Sequence, residues 1–318
     1  MAWSLHLIPI SMSRARFVLS LDCELLWGSY RAGGLEKFPY LNLKDCYRHY
    51  YDQLLSLLDR YKIKATFAFV GGIAFSQSEF KEIVGKLDGF DYKNHLDTIL
   101  NLSNYHPSHW HDIEIIKKVI NSNFEHEIGS HSLIHLPFNI ILDPKTAKTE
   151  LHLSHKILSK LTQKPINTFI FPENQIYHLE ELKKSSFRIY RGKDDSWYKK
   201  LPLKRLLHFL DQFLPLAPRS VSLQVDQYGN YCLPGSLMLF AYDGVRCFIP
   251  DWIRFLKIKR GIDRAIAERK IFHLWFHPWN LGSSPRMKVV LEKVFSYVSE
   301  KCKEGVLSVS TMEGVLDP

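Results

Sequence analysis

The 318-residue chain has no apolar run near the roughly 20 residues that a membrane-crossing helix needs, so no such helix is expected. It is poor in cysteine. Its five (Cys23, Cys46, Cys232, Cys247 and Cys302) are odd in number and scattered, which argues against a disulfide-stapled scaffold and predicts reduced thiols in a cytoplasmic protein. The first residues, MAWSLHLIPISMSRAR, lack both a cationic start before an apolar core and a small-residue cleavage site, so no secretory signal is read there. No internal repeat, low-complexity tract or Pro/Gly/Ser-rich linker divides the chain. A single domain is expected over 15–318, preceded by a loosely held lead-in over 1–14. Acidic side chains are in deficit: 33 Asp and Glu against 42 Lys and Arg give a net charge of +9 with His neutral. That balance suits an anionic substrate or an anionic membrane surface. No nucleic acid is expected as a partner.

What is present is an alternation of short apolar runs with helical periodicity. Phe17–Leu21 reads as a buried strand that stops at Asp22-Cys23-Glu24. Residues i and i+2 of an extended chain face the same way, so Asp22 and Glu24 point together and Cys23 points away. Leu43 to Tyr61 reads as an amphipathic helix, and Ala65 to Val70 as a strand stopped by Gly71-Gly72. Residues 76–112 read as a helix plus an excursion carrying His106, His109, Trp110 and His111, a surface cluster with no carboxylate spaced to complete a metal shell. Asp112 to Asn121 is a helix by periodicity, and Phe124 to Ser130 a strand whose end presents His131.

Asp143 to Thr162 is the next helix, with Pro144 early, where its missing N–H matters least. Ile166 to Phe171 reads as a strand, 178–185 as a helix and 187–190 as a strand, followed by Arg191. Ile271 to Phe276 is the most apolar strand and delivers His277. A helix over 286–302 and a strand over 306–310 close the chain. Strands that alternate with helices and end in polar residues predict a parallel α/β sheet or barrel whose site collects at the carboxyl ends of the strands. Two further segments, 198–219 and 252–270, mix Leu with Lys and Arg; they read as packed helices with a basic face or as segments lying on an anionic membrane surface.

The strand ends gather Asp22, Glu24, His131, His135, Asn174, Arg191 and His277. His131 and His135, four apart, can present both imidazoles on one side of a helical turn or tight loop. Two imidazoles and a carboxylate form a common shell for a catalytic zinc ion. With a second carboxylate as base and a separate His as acid, the set suits metal-assisted hydrolysis of an amide.

The ordered motifs resemble the polysaccharide deacetylase family, the NodB-homology domain of carbohydrate esterase family 4. Ser20-Leu-Asp-Cys-Glu24 stands where the family has its first motif, TFDDG or a D-x-D or D-x-E form. Lys64-Ala-Thr-Phe-Ala-Phe-Val-Gly71 is similar to its second strand. His126-Glu-Ile-Gly-Ser-His-Ser-Leu-Ile-His135 resembles its second motif. Phe169 to Gln175 takes the place of the third, and Leu274-Trp-Phe-His-Pro278 resembles the last. The resemblance covers about residues 16–315. It implies a distorted (β/α) barrel of about seven strands and a divalent metal, most often Zn²⁺. Carried over, Asp22 is the general base, His277 the general acid, and His131 and His135 metal ligands. The third ligand is Glu24 on the D-x-E pattern, or Cys23 on the TFDDG pattern. Arg191 either supplies the cation that orients the base, in place of an arginine missing beside Pro172-Glu173, or is a surface or structural ion-pair residue. Asn174 either lines a sugar pocket or caps the helix that follows. Trp27 and Trp279, with Trp197 and Trp275, are either stacking platforms for a sugar or core. The implied activity is removal of an N-acyl group from an amino sugar or glycan; a nucleotide- or lipid-linked intermediate of cell-surface glycan synthesis is the expected substrate, with peripheral membrane contact through 198–219 and 252–270. An amidase or deformylase on another C–N bond, and a non-catalytic carbohydrate-binding relative, are the competing readings.

Overall fold

The computed structural model describes residues 6–7, 14–30, 34–37, 46–85, 106–194 and 196–317. Much of the lead-in and the 86–105 part of the expected excursion lie outside the described residues. The chain folds as a single-domain distorted (β/α) barrel, as the alternation of strands and helices predicts.

The parallel strands in chain order are β2 (Ala15–Cys23), β3 (Thr66–Phe69), β4 (Glu127–Ser130), β5 (Thr168–Phe169), β6 (Ile189–Gly192), β8 (Tyr231–Pro234), β9 (Leu237–Met238), β10 (Ile271–Phe276) and β11 (Leu307–Ser310). β1 (His6–Leu7) and β7 (Gln224–Val225) add an antiparallel flank. Around the sheet the order is β8-β6-β5-β4-β3-β2-β10-β9. The two ends of this list are two residues apart in the chain. The segment 231–238 therefore closes the ring by itself: its first half pairs with β6 and its second half with β10. Gly235 marks the change of partner, its N–H reaching the Gly192 carbonyl at 3.3 Å, while the Ser236 N–H reaches that of His273 at 2.9 Å. With 231–238 taken as one strand, the ring has the seven expected. β2 is long enough to pair with β10 on one side and, on the other, with β11 at its start and β3 at its end.

Alternation along the strands separates two cores. Val18, Ala68, Ile170, Ile189, Leu233 and Ile271 cluster inside the ring. Phe17, Leu19, Leu21, Phe67, Phe272 and Leu274 join the larger cluster beneath the helices. Strands buried on both faces read as unbroken apolar runs, which is why β2 and β10 are legible in the sequence. The helix Pro144–Thr162 begins at Asp143, whose carboxylate accepts from the Thr146 N–H. The helices Cys46–Tyr61, Ile113–Ile120, Asp251–Glu268 and Pro285–Lys303 match their periodicity to within a few residues. Of 198–219, the α-helix Lys204–Phe213 forms, preceded by a 3-10 turn at Trp197–Lys200.

Two expectations change. His6–Leu7, placed in the loose lead-in, hydrogen-bonds to β7. The strand expected over 166–171 keeps regular pairing only at Thr168–Phe169, because the chain must bend before Pro172 to bring 173–174 over the ring mouth. No described helix is long and apolar enough to cross a membrane.

Inside the ring, His273 is fully buried. Its Nδ1–H donates to the Pro234 carbonyl at 3.0 Å, and its Nε2 accepts from the Ser20 hydroxyl at 2.8 Å. Burial and the nearby Arg191 cation push its pKa down to about 3. The unfolded chain binds this proton near pH 6.5, the folded one only near 3, so the unfolded state carries the extra proton between them. Stability therefore falls as pH drops through that window, by about 1.4 kcal/mol per pH unit from this group. Urea unfolding from pH 7 to 4 should show that slope, and His273→Gln should flatten it; an unchanged slope in the variant would assign the acid sensitivity elsewhere.

Candidate metal centre and acid–base pair

Glu24 leaves the end of β2 and turns into the mouth of the ring. Its side chain is 5% exposed. Its Oε2 lies 3.0 Å from His135 Nε2 and 3.5 Å from His131 Nε2, and its Oε1 lies 3.3 Å from His277 Nε2. Burial alone would raise the Glu24 pKa, but His277, His135 and His131 around it reverse that and hold the carboxyl well below its usual range. Glu24, His131 and His135 form the one group of at least three possible metal ligands among the described residues, with donor atoms all within 4.8 Å of one another.

The two histidines sit on a loop, not a helix. It follows β4 and turns through left-handed backbone at Ser132 (φ 66°) and His135 (φ 58°). The His131 Nδ1–H donates to the Ile170 carbonyl at 2.8 Å, which leaves Nε2 to present its lone pair toward Glu24. Burial pushes the His135 pKa down against the pull of Glu24, so the neutral ring, the form that binds metal, is favoured. The loop is held from behind by Glu150, a fully buried carboxylate that accepts from the N–H groups of Leu133 (2.8 Å) and Ile134 (3.2 Å). Gly71 and Gly72 bind the loop's Ser132 and Leu133 carbonyls. Glu150 was not singled out in the sequence; nothing local distinguishes it from other helix carboxylates.

These residues fit a divalent cation: a buried carboxylate and two imidazoles converge, and the His131 ring is fixed in the metal-binding tautomer. Cys23 does not join them. It faces the outer core, donates to the Leu21 carbonyl at 3.6 Å, and burial pushes its thiol well above the usual range, away from the thiolate a metal would take.

Gly28 lies against the Glu24 carboxylate. A Cβ there would fall 2.1 Å from the carboxyl carbon and one oxygen. The obstructed atoms are the end of a flexible side chain, so Gly28→Ala should fold normally while displacing the Glu24 carboxylate. Metal affinity is expected to fall about 10–100-fold with little change in melting of the metal-free protein, read by calorimetric titration with Zn²⁺.

Asp22 is buried and pairs with Arg191 of β6 across the ring. Nη1–Oδ1 is 2.6 Å and Nη2–Oδ2 is 2.7 Å, a bidentate fork. Burial raises the Asp22 pKa, but Arg191, with smaller help from His131 and His277, lowers it below the usual carboxylate range. Arg191 is itself fixed. It lies 3.9 Å over the Trp275 ring, and its Nη2 donates to Asn174 Oδ1 at 3.2 Å. Asn174 (φ 51°) thus holds the arginine, and the helix that follows is headed by His178 instead. His277 is mostly buried and stacks on Trp279, with ring centroids 4.6 Å apart.

Trp27 requires a correction. It is fully buried, packs edge-on against Phe80 and Trp110, and donates to the Trp110 carbonyl at 2.7 Å, so it is core and no sugar platform. Its place depends on Gly72, where any Cβ would meet its ring at 2.8 Å. At the His106–His111 cluster, His109 and His111 bond backbone carbonyls and Asp112 forms a fork with Arg48, and no metal set is found there among the described residues.

Residues 33–184 match the family model for polysaccharide deacetylase. No curated protein matches the chain in sequence. Among solved structures, a Mycobacterium smegmatis protein described as a polysaccharide deacetylase superposes with TM-score 0.55 at 14% identity, over 97% of this chain and 91% of its own. A Pseudomonas aeruginosa PAO1 protein described likewise gives 0.57 at 14%, over 94% and 89%. A Puue allantoinase gives 0.57 at 12%, over 95% and 90%. At these identities the likeness shows the fold, which is that of the resemblance read from the motifs.

Proposed function

We propose that this chain, which matches the polysaccharide deacetylase family in sequence and its solved members in fold, removes an N-acyl group, most simply acetyl, from an amino sugar by metal-dependent hydrolysis. The observation that carries the reading is the meeting of two separate devices in one ring mouth. One is a Glu24–His131–His135 set suited to a cation. The other is a buried carboxylate, Asp22, held ready by Arg191.

A divalent cation, Zn²⁺ by its preference for such ligands, would polarise the amide carbonyl and lower the pKa of a nearby water. Asp22 accepts the proton of the attacking water as its oxygen bonds to the carbonyl carbon. Its second oxygen stays anchored to Arg191, so the accepting lone pair keeps one direction. His277 gives a proton to the nitrogen as the C–N bond breaks, and Trp279 keeps that imidazole from turning away. The products are a carboxylate and an amine. General acid–base help of this type supplies ~10²–10⁴-fold each.

The substrate we favour is a nucleotide- or lipid-linked intermediate of cell-surface glycan synthesis, met at the cytoplasmic face of the membrane. The basic and apolar character of 198–219 supports this. The segment 252–270 supports it less, because Arg254 and Lys257 turn inward to the Phe240 and Asp211 carbonyls and Lys259 and Arg264 pair with Asp263 and Glu268. A second reading, an amidase or deformylase acting on another C–N bond, is favoured by the likeness to an allantoinase. Elemental analysis of the purified protein, with acetate release screened over free, nucleotide-linked and lipid-linked N-acetylamino sugars, tests both. A well-folded protein that takes up no Zn²⁺ and releases no acetate overturns the first reading.

A further inference from the structure

A cavity of about 490 Å³ lies outside the ring beside the closing segment, between the helices Lys204–Phe213 and Asp251–Glu268. That volume is in the range of ligand pockets. It contains none of the acid–base or metal-binding groups, yet it adjoins them. Asp194, on its wall, accepts from Trp275 Nε1 at 2.9 Å, and the same indole carries Arg191 on its face. One side chain thus separates the cavity from the arginine that holds Asp22.

The wall is unusual in how its polar groups are used. The Tyr198 hydroxyl meets His208 Nδ1 at 2.7 Å, and Gln212 meets His208 Nε2 at 3.1 Å. Trp197 Nε1 and Lys257 both donate to Asp211, and Arg254 is taken up by the Phe240 and Arg246 carbonyls. These groups satisfy one another, and the rest of the lining sets the apolar surfaces of Leu216, Leu237, Met238 and Ile249, with the rings of Tyr198 and Phe240, beside Ser196, Arg219, Ser236 and an Arg264 already paired with Glu268. A sugar would need hydrogen-bond partners that are already taken; a hydrocarbon chain needs none. The helix that roofs the cavity is apolar on its outer side as well. Leu203, just before it, is 74% exposed, Leu206 51% and Leu210 45%, and across the neighbouring surface Phe248 is 76% and Trp252 59% exposed. Exposed apolar residues on and beside a helix that walls the cavity are a surface that water alone does not explain.

We propose that this cavity binds the hydrocarbon chain of a lipid-linked amino sugar while the sugar occupies the ring mouth. The proposal rests on the deacylase reading and narrows it to amphipathic substrates. Trp275, bonded to Asp194 on the cavity side and covered by Arg191 on the other, is the wall the two sites share, so a chain seated in the cavity lies one side chain away from the arginine that holds Asp22.

The test compares dodecyl and methyl N-acetylglucosaminides on the zinc-loaded protein, below the micelle concentration of the first, by calorimetric binding and by acetate release. Ala217 and Leu216 line the cavity from an exposed connection, so Ala217→Trp and Leu216→Glu obstruct it without entering the core. The dodecyl compound is expected to bind about 10-fold or more tighter than the methyl one, an advantage that either variant abolishes. Equal binding of the two glycosides, or an advantage untouched by both variants in folded protein, overturns the proposal. Chain-dependent binding without acetate release supports the cavity and overturns the deacylase reading; acetate release with no chain dependence does the reverse.

Discussion

Glu24→Ala is expected to strip the protein of its metal, and with it to lower turnover about 10³-fold or more, while Cys23→Ser leaves both intact. The reasoning is geometric. Among the described residues Glu24 is the one carboxylate whose oxygens reach both imidazoles, at 3.0 and 3.5 Å, so none of these neighbours substitutes for it. Loss of a Lewis acid worth several kcal/mol translates to that fold-change at about 1.4 kcal/mol per decade. The Cys23 thiol is buried on the opposite face of the strand and its ionisation is suppressed. Metal content by elemental analysis, beside acetate release, reads the result. Retention of metal in the first variant and its loss in the second would reverse the assignment of the third ligand.

The second large effect is expected at the Asp22–Arg191 fork. Arg191→Met leaves a carboxylate buried without its cation, which costs about 3–5 kcal/mol of stability. Asp22 then protonates more readily, because the influence that outweighed burial is gone. Asp22→Asn should keep metal binding and lose about 10²–10⁴-fold in turnover. The double variant separates the two roles: with both charges removed, much of the stability returns and the activity does not. Denaturant melts of the four proteins form the cycle. A double variant as unstable as Arg191→Met alone would mean that Arg191 supports the ring chiefly by its stacking on Trp275.

What was legible in the sequence follows from distance along the chain. Asp22 and Glu24 share a face because a strand repeats every two residues, and His131 and His135 are four apart; both relations are local. Arg191 could be nominated but not placed, since its contact with Asp22 spans 169 residues. Gly28 and Glu150 carry no local signal: one acts by the room it leaves and the other by receiving N–H groups from a loop 17 and 16 residues before it. In sequence Trp27 is open to a sugar-stacking or a core reading, and the choice is decided by Phe80 and Trp110, which arrive from later in the chain. The closing segment escaped notice because Tyr231–Pro234 is short and is followed by Gly235, the signature of a turn. A ring seam needs that signature, since the chain must let go of one neighbour to take the next.

That seam also divides the site by order of assembly. Glu24, His131 and His135 come from β2 and the loop after β4, joined through β3 by pairings that form without 231–238. Arg191 and His277 come from β6 and the end of β10, the two strands the seam joins. Folding can therefore complete the cation site in an open sheet and, through the pairing of β10 with β2, set His277 beside Asp22, whereas Arg191 reaches Asp22 only on closure. A chain still open at the seam would capture zinc and remain inert, so metal uptake and activity are expected to appear as separate phases on refolding.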